Sequence, residues 1–103
     1  MKDIINKKIS MLEHSLGNGL SNYLSKKELV MLDMYMCSLK SINSGNYVIS
    51  YVGIAGLKDY FENDSIIPKR LSNPVKETIN QIEHLMKLQN PELIDHYDQI
   101  SKI

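Results

Sequence analysis

The sequence predicts an all-α protein, a four- to five-helix antiparallel bundle with residues 25–42 as its central helix. Apolar residues recur at steps of three and four along each long segment, which is the spacing of one face of a helix. Residues suited to capping a first helical turn stand before several of these segments. A chain of 103 residues is long enough to bury one core, so we expect residues 1–103 to form a single helical domain.

The first segment predicts an amphipathic helix. Asp3 stands where an N-cap would lie, and most of the lysines fall outside the apolar face. That face consists of Ile5, Ile9, Leu12 and Leu16. Gly17-Asn18-Gly19 should end the helix, because glycine and asparagine readily adopt the left-handed conformation found at helix C-termini. A short apolar linker, residues 20–24, then leads to the second helix.

The second segment, residues 25–42, is apolar on nearly every side, which is why we expect it at the centre of the bundle. Its apolar residues are Leu29, Val30, Met31, Leu32, Met34, Tyr35, Met36, Cys37, Leu39 and Ile42. Ser25 is predicted to cap the first turn, with Glu28 reaching back to complete a capping box. We expect Cys37 to be a small buried side chain on this helix.

The third segment, residues 47–63, is the most ambiguous in the chain. Residues 47–52 have the β-branched and aromatic content of a strand. No second strand-like segment exists to pair with them, and a lone strand would leave its backbone groups unsatisfied, so we predict a helix. Gly53 and Gly56 would each cost this helix about 1 kcal/mol relative to alanine. Their spacing predicts that another backbone approaches closely here.

The last third of the sequence predicts two more helices. Residues 65–71 are expected to be an ordered connection, followed by Asn73-Pro74 as the N-cap and first residue of a fourth helix. Its apolar face consists of Val75, Ile79, Ile82 and Met86. Asn90-Pro91 repeats the same start signal and predicts a fifth helix. In that helix, the inward residues would be Leu93, Ile94, Tyr97 and Ile100.

The charge of the chain is balanced, with 12 basic and 12 acidic residues, and Arg70 is its only arginine. Proteins that read nucleic acid usually concentrate arginine and lysine on one face, so the composition argues against that class. The longest weakly polar run, residues 47–57, is short for a membrane span. The N-terminal segment lacks the unbroken apolar core of a signal peptide, and the single cysteine fits a reducing compartment. We therefore expect a cytoplasmic protein without a membrane partner.

No residue pattern predicts catalysis or a metal site. His14, His84 and His96 fall on three different predicted helices, and none has a second ligand at the spacing that metal sites use. His96 lies near Asp95 and Asp98, where a weak surface site is an alternative to an ordinary solvated helix face. Phosphate-binding glycine loops and nucleophile motifs are absent from the sequence. We predict a protein that is not an enzyme and needs no cofactor.

The strongest candidate for a binding site is the end of the third helix, where carboxylates surround a tyrosine. The negative end of the helix dipole disfavours acidic residues there, so a partner would explain their presence. Tyr47 and Tyr51, one turn apart, would serve either as exposed anchors or as core residues. The predicted partner-binding residues are Tyr47, Tyr51, Asp59, Tyr60, Glu62 and Asp64.

In size and helix pattern alone, the chain is similar to small bacterial immunity proteins and to small helical regulators, and no motif carries that similarity. The first class predicts a non-catalytic inhibitor of one partner protein, such as a basic toxin domain. The second predicts a transcriptional or signalling regulator with weak nucleic-acid contacts. Its contact residues would be Lys26, Lys27, Lys69, Arg70 and Lys76. A homodimer is compatible with both.

Overall fold

The computed structural model describes residues 2–17, 19–63 and 66–91, and it shows an all-α bundle. This part of the chain contains four α-helices, and two short 3₁₀ turns, Leu20–Tyr23 and Ser41–Ser44, lie on either side of the second helix. The helices are α1 (Lys2–Gly17), α2 (Lys26–Lys40), α3 (Tyr47–Asn63) and α4 (Lys69–Gln89). The predicted fold class is therefore confirmed. The predicted fifth helix, together with Asp64 and His96, lies outside the described residues.

The start of α2 agrees with the predicted capping box. Ser25 Oγ accepts a hydrogen bond from the backbone N–H of Glu28, and Glu28 Oε1 accepts one from the backbone N–H of Ser25, both at 3.1 Å. These two bonds satisfy amides that a helix N-terminus otherwise leaves without a partner. The end of α1 also follows the sequence, because Gly19 adopts a left-handed φ of 88° just beyond Gly17.

The ambiguous third segment is a helix, and it forms an antiparallel hairpin with α2. Ser50 Oγ donates a hydrogen bond of 2.7 Å to the carbonyl of Leu39 at one end of the hairpin. Tyr60 Oη donates one of 2.5 Å to Glu28 Oε2 at the other end. Between them, Gly53 lies directly against the backbone of α2, so the predicted close approach is confirmed there.

The fourth helix begins earlier than the sequence predicted. Asn73-Pro74 is not its start, because α4 begins at Lys69 with Pro68 as its N-cap, and Pro74 lies inside the helix. The carbonyl of Pro68 accepts hydrogen bonds from the amides of Leu71 and Ser72. An additional turn therefore forms, and it extends the buried face of α4 through Ser72, which is 3% exposed. The burial of that face outweighs the hydrogen bond that Pro74 cannot donate.

The core lies where α3 packs between α2 and α4, so α3 rather than α2 is the most deeply buried helix. Ile54, Leu57 and Phe61 on α3 are completely buried. The prediction that residues 25–42 form the central helix is corrected in this respect. Helix α2 packs along α3 and meets α1 near the ion pair between Lys40 and Glu13. The other side of α2 faces away from the core, and Cys37 lies there, exposed rather than buried as predicted.

Candidate partner-binding surface

The outer side of the α2–α3 hairpin carries aliphatic side chains that the bundle does not bury. Inward-facing residues on both helices point to the core, so residues about half a turn away on each helix point to the same outer side. We call this outer surface the hairpin face. Its aliphatic side chains are Val30 and Met34 on α2 and Val48, Ile49 and Val52 on α3, which are 40–65% exposed.

The C-terminal half of α3 continues the hairpin face with charged residues. Asp59 and Glu62 are exposed, whereas Lys58 Nζ is paired with Glu83 Oε1 of α4 at 2.9 Å. That hydrogen bond is the main reason why the pKa of Lys58 is raised, and it outweighs the opposing effect of partial burial. Glu62 adds a weaker attraction to Lys58, but the direct contact of Lys58 is with Glu83, so neither Asp59 nor Glu62 is ion-paired with it at contact distance.

Small residues make a groove across the middle of the hairpin face. Ala55 and Gly56 on α3 leave room above the helix, and the ring of Tyr35 on α2 fills the place where a side chain at Gly56 would lie. Val52 lines the same groove, which continues to Asp59 and Glu62 and to the ion pair between Lys58 and Glu83. An apolar floor beside a carboxylate can hold a long basic side chain, whose stem prefers apolar contact and whose head prefers an anion.

Two of the predicted anchor tyrosines do not belong to this surface. Tyr51 is only 7% exposed and is part of the core. Tyr47 is half-buried and packs against the same core. The sequence left open whether this pair was core or surface, and their positions on α3 place them on the core side of the helix. Neither ring is exposed as an anchor residue would be.

Tyr60 is held on the α2 side of α3 rather than presented to solvent. Its hydroxyl donates to Glu28, and its ring meets that of Phe61 edge-on, with centroids 5.1 Å apart. The hydrogen bond from Tyr60 is the largest cause of the lowered pKa of Glu28, followed by the bonds from Ser25. Glu28 therefore joins the cap of α2 to the end of α3.

We expect the Tyr60→Phe variant to raise the pKa of Glu28 toward its ordinary value, because the largest stabilising contact of the carboxylate is removed. A carboxyl whose pKa is lowered by folding stabilises the protein above its unfolded pKa, and this contribution is lost as the pH falls through the folded pKa. The variant should thus be less stable than the parent at neutral pH, and the difference should shrink in acid. NMR titration of the Glu28 carboxyl carbon measures the pKa. An unchanged titration would contradict the assigned role of Tyr60.

Of the five predicted site residues that the structure describes, Asp59 and Glu62 lie on the hairpin face, and the three tyrosines do not. The residues that the prediction missed are the aliphatic ones, above all Val48, Val52 and Met34. Their signal was present in the sequence, since Val48 and Val52 lie one turn apart and away from the face of Ile54 and Phe61. A single valine outside the core stripe is normal, but several exposed aliphatic side chains on one side of a helix pair are a candidate interaction surface.

The described residues give no geometry for a metal centre. In residues 2–17, 19–63 and 66–91, no group of three or more histidine, cysteine, aspartate or glutamate side chains lies close enough to hold a metal ion. His14 and His84 are both exposed. The described helices also include none with the length and apolarity that crossing a membrane requires.

Fold and surface together define a small all-α bundle with an exposed apolar and acidic face. No protein-family model matches the chain, and neither a curated protein nor a solved structure is significantly similar to it.

Proposed function

We propose that this protein is a non-catalytic binder of one basic partner protein, which it inhibits as a toxin-immunity protein does. The observation that carries the proposal is the hairpin face, where exposed aliphatic side chains adjoin two carboxylates on the same helix. The contact centres on the outer side of α3, at Val48, Val52, Asp59 and Glu62.

The aliphatic part of the face supports a protein partner. Val48 and Val52 are 40% and 42% exposed, and Met34 on the neighbouring helix is 65% exposed. Single exposed apolar residues are normal, but a group of them on one side of a helix pair is characteristic of an interaction surface. Burying such a group against a partner removes apolar area from water, which is the main favourable contribution to protein association.

The carboxylates support a basic partner. Asp59 and Glu62 are one turn apart on α3, and the groove between Val52 and Asp59 can hold a lysine or arginine side chain of the partner. Exposed charges of this kind mainly speed the encounter of two proteins and contribute less to the lifetime of the complex. The acidic end of the face thus directs the partner, and the aliphatic part retains it.

The experiment begins with the protein encoded by the adjacent gene, because inhibitor and target are commonly made together. After co-purification, the association rate is measured by stopped-flow fluorescence at several salt concentrations. We expect the Asp59→Asn, Glu62→Gln double variant to associate about tenfold more slowly at low salt. The difference from the parent protein should shrink at high salt, because salt screens exposed charges.

The matched control is the Asp33→Asn, Glu77→Gln double variant, which makes the same change in net charge at exposed positions outside α3. It should associate nearly as fast as the parent protein. Equal slowing by the two variants would show that only the net charge matters, and unchanged association in both would place the interface elsewhere.

The second candidate, a regulator that contacts nucleic acid, is favoured by one feature. Helices α2 and α4 both begin at the end of the bundle where α3 ends, which brings the exposed residues Lys26, Lys27, Lys69 and Arg70 to the same end. Helix N-termini and basic side chains suit phosphate groups. Salt-dependent binding to a labelled DNA duplex, lost in the Lys69→Ala, Arg70→Ala variant, would favour this candidate over the first.

A further inference from the structure

We infer that, in the free protein, the hairpin face is covered by a second copy of this chain in a two-fold symmetric dimer. The symmetry axis runs parallel to the hairpin, so that α2 of each copy lies against α3 of the other. This inference does not depend on the proposed function. The second copy occupies the face when the basic partner protein is absent.

The first support is the way charge is divided between the two helices. Lys26 and Lys27 precede Glu28 at the start of α2, and Asp59 and Glu62 flank Tyr60 near the end of α3. Because Tyr60 and Glu28 are joined by a hydrogen bond, all four charged residues lie at the same end of the hairpin. The α2 edge of the face is thus basic and the α3 edge is acidic, at the same height along the helix axes.

Among the residues that the structure describes, none of these four charged groups forms an ion pair at contact distance, although Glu62 lies close enough to Lys58 to help raise the pKa of that lysine. The ion pairs found there join Lys40 to Glu13 and Glu83 to Lys58 and Lys87. The carboxylate of Asp59 accepts a hydrogen bond of 3.1 Å from the Asn63 amide, which is neutral. The basic and acidic edges are consequently free to meet charges on another molecule.

A two-fold axis parallel to the hairpin exchanges the two edges. It brings Lys26 and Lys27 of one copy to Asp59 of the partner subunit and Glu62 of the partner subunit, and symmetry makes the same contacts a second time. A two-fold axis that lies in the plane of the face but runs at right angles to the helices would instead bring the charged end of one copy onto the aliphatic end of the other. Charge complementarity therefore selects the parallel axis.

The aliphatic side chains of the face meet in the middle of this arrangement. Met34 of α2 lies near the level of Ala55 and Gly56 on α3, as the contact between Tyr35 and Gly56 shows. In the dimer, each Met34 therefore lies over the small residues of the other copy, where the groove leaves room for a long flexible side chain. The two α2–α3 hairpins thus pack face to face and form a four-helix arrangement at the dimer interface.

The size of the face indicates a weak dimer. A helix of this length is about 22 Å long, and two helices packed side by side are roughly 20 Å across. The resulting footprint is smaller than the roughly 800 Å² per subunit of a standard interface. We expect a dissociation constant between about 10 µM and about 1 mM, which a tight heterologous partner would readily overcome.

The test is sedimentation velocity of the full chain over a range of protein concentrations and two salt concentrations. We expect a monomer–dimer equilibrium that weakens as salt rises. The Lys26→Glu, Lys27→Glu variant should weaken dimerisation at least tenfold without loss of folding, because acidic residues are favourable in a first helical turn. Adding Asp59→Lys and Glu62→Lys restores opposite charges on the two edges and should restore the dimer.

The aliphatic contact is tested separately by Met34→Glu, which should abolish the dimer, against the control Met11→Glu. Met11 is 51% exposed on α1, outside the hairpin face, so its replacement should leave the dimer unchanged. A protein that stays monomeric at all concentrations would overturn the inference. So would a dimer whose stability is unchanged by the charge-reversal variants and by Met34→Glu. Neither result bears on the proposed function, which is decided by association with the heterologous partner.

Discussion

Replacing Phe61 with alanine is expected to lower the free energy of unfolding by about 3–5 kcal/mol. Phe61 is completely buried on the most deeply buried helix, and its ring packs perpendicular to that of Tyr60. The variant loses the transfer energy of a large aromatic side chain and leaves a cavity that its neighbours cannot fill completely. Urea denaturation followed by far-UV circular dichroism measures the change.

Small domains are only marginally stable, and a loss of this size is a large fraction of their total stability. Phe61→Leu is a milder replacement that should cost roughly 1.5 kcal/mol and keep the protein folded. The control is Leu88→Ala, at a position that is 58% exposed, where we expect a change within about 0.5 kcal/mol. Equal effects of the core and control variants would show that the core does not lie along α3.

Replacing Gly53 with alanine is expected to destabilise the protein by about 2–3 kcal/mol, although alanine normally favours a helix over glycine by about 1 kcal/mol. An added Cβ would lie 2.6 Å from both the amide nitrogen of Leu39 and the carbonyl oxygen of Tyr35. Both atoms belong to the backbone of α2 and cannot move aside alone. The hairpin must therefore open, and packing along its whole length is weakened. Urea denaturation again measures the change.

Alanine replacements at two other glycines serve as controls for Gly53→Ala. Gly17 has nothing within 4 Å of the added Cβ, so Gly17→Ala should leave stability unchanged or slightly raised. Gly56→Ala meets the ring of Tyr35 rather than a backbone atom, and the ring can shift, so its cost should be smaller than that at Gly53. If Gly53→Ala proved as stable as the parent protein, α2 and α3 would not be in close contact.

The sequence predicted the helices well wherever a local signal was strong. The capping box at Ser25, the glycine-rich end of α1 and the helical state of residues 47–63 all follow from short-range chemistry. The same reasoning misplaced the start of α4, because Pro68 and Pro74 are both acceptable near a helix N-terminus. The helix starts after Pro68 rather than at Pro74 because this start lets Leu71 and Ser72 pack against the core. Such packing depends on the assembled bundle and not on the local sequence.

The candidate site was predicted only in part. Asp59 and Glu62 could be recognised because acidic residues near a helix C-terminus are unusual in themselves. Tyr47 and Tyr51 have the same spacing whether they are core or surface, and only the direction in which α3 packs made Tyr51 a core residue. The aliphatic residues of the hairpin face were missed because exposure cannot be read from residue type alone.

The sequence by itself determined the number of described helices, their approximate extents and the absence of strands among them, since periodicity and capping act over a few residues. Only the tertiary structure decided which helix is central. Residues 25–42 are apolar on nearly every side, but each helix of a small bundle keeps one side exposed, so the apolar residues on that side cannot be buried. The glycines of α3 allow it to approach α2 closely and take the inner position. Helix α2 is therefore left with Val30, Met34 and Cys37 exposed to solvent, and the first two of these form the α2 part of the hairpin face.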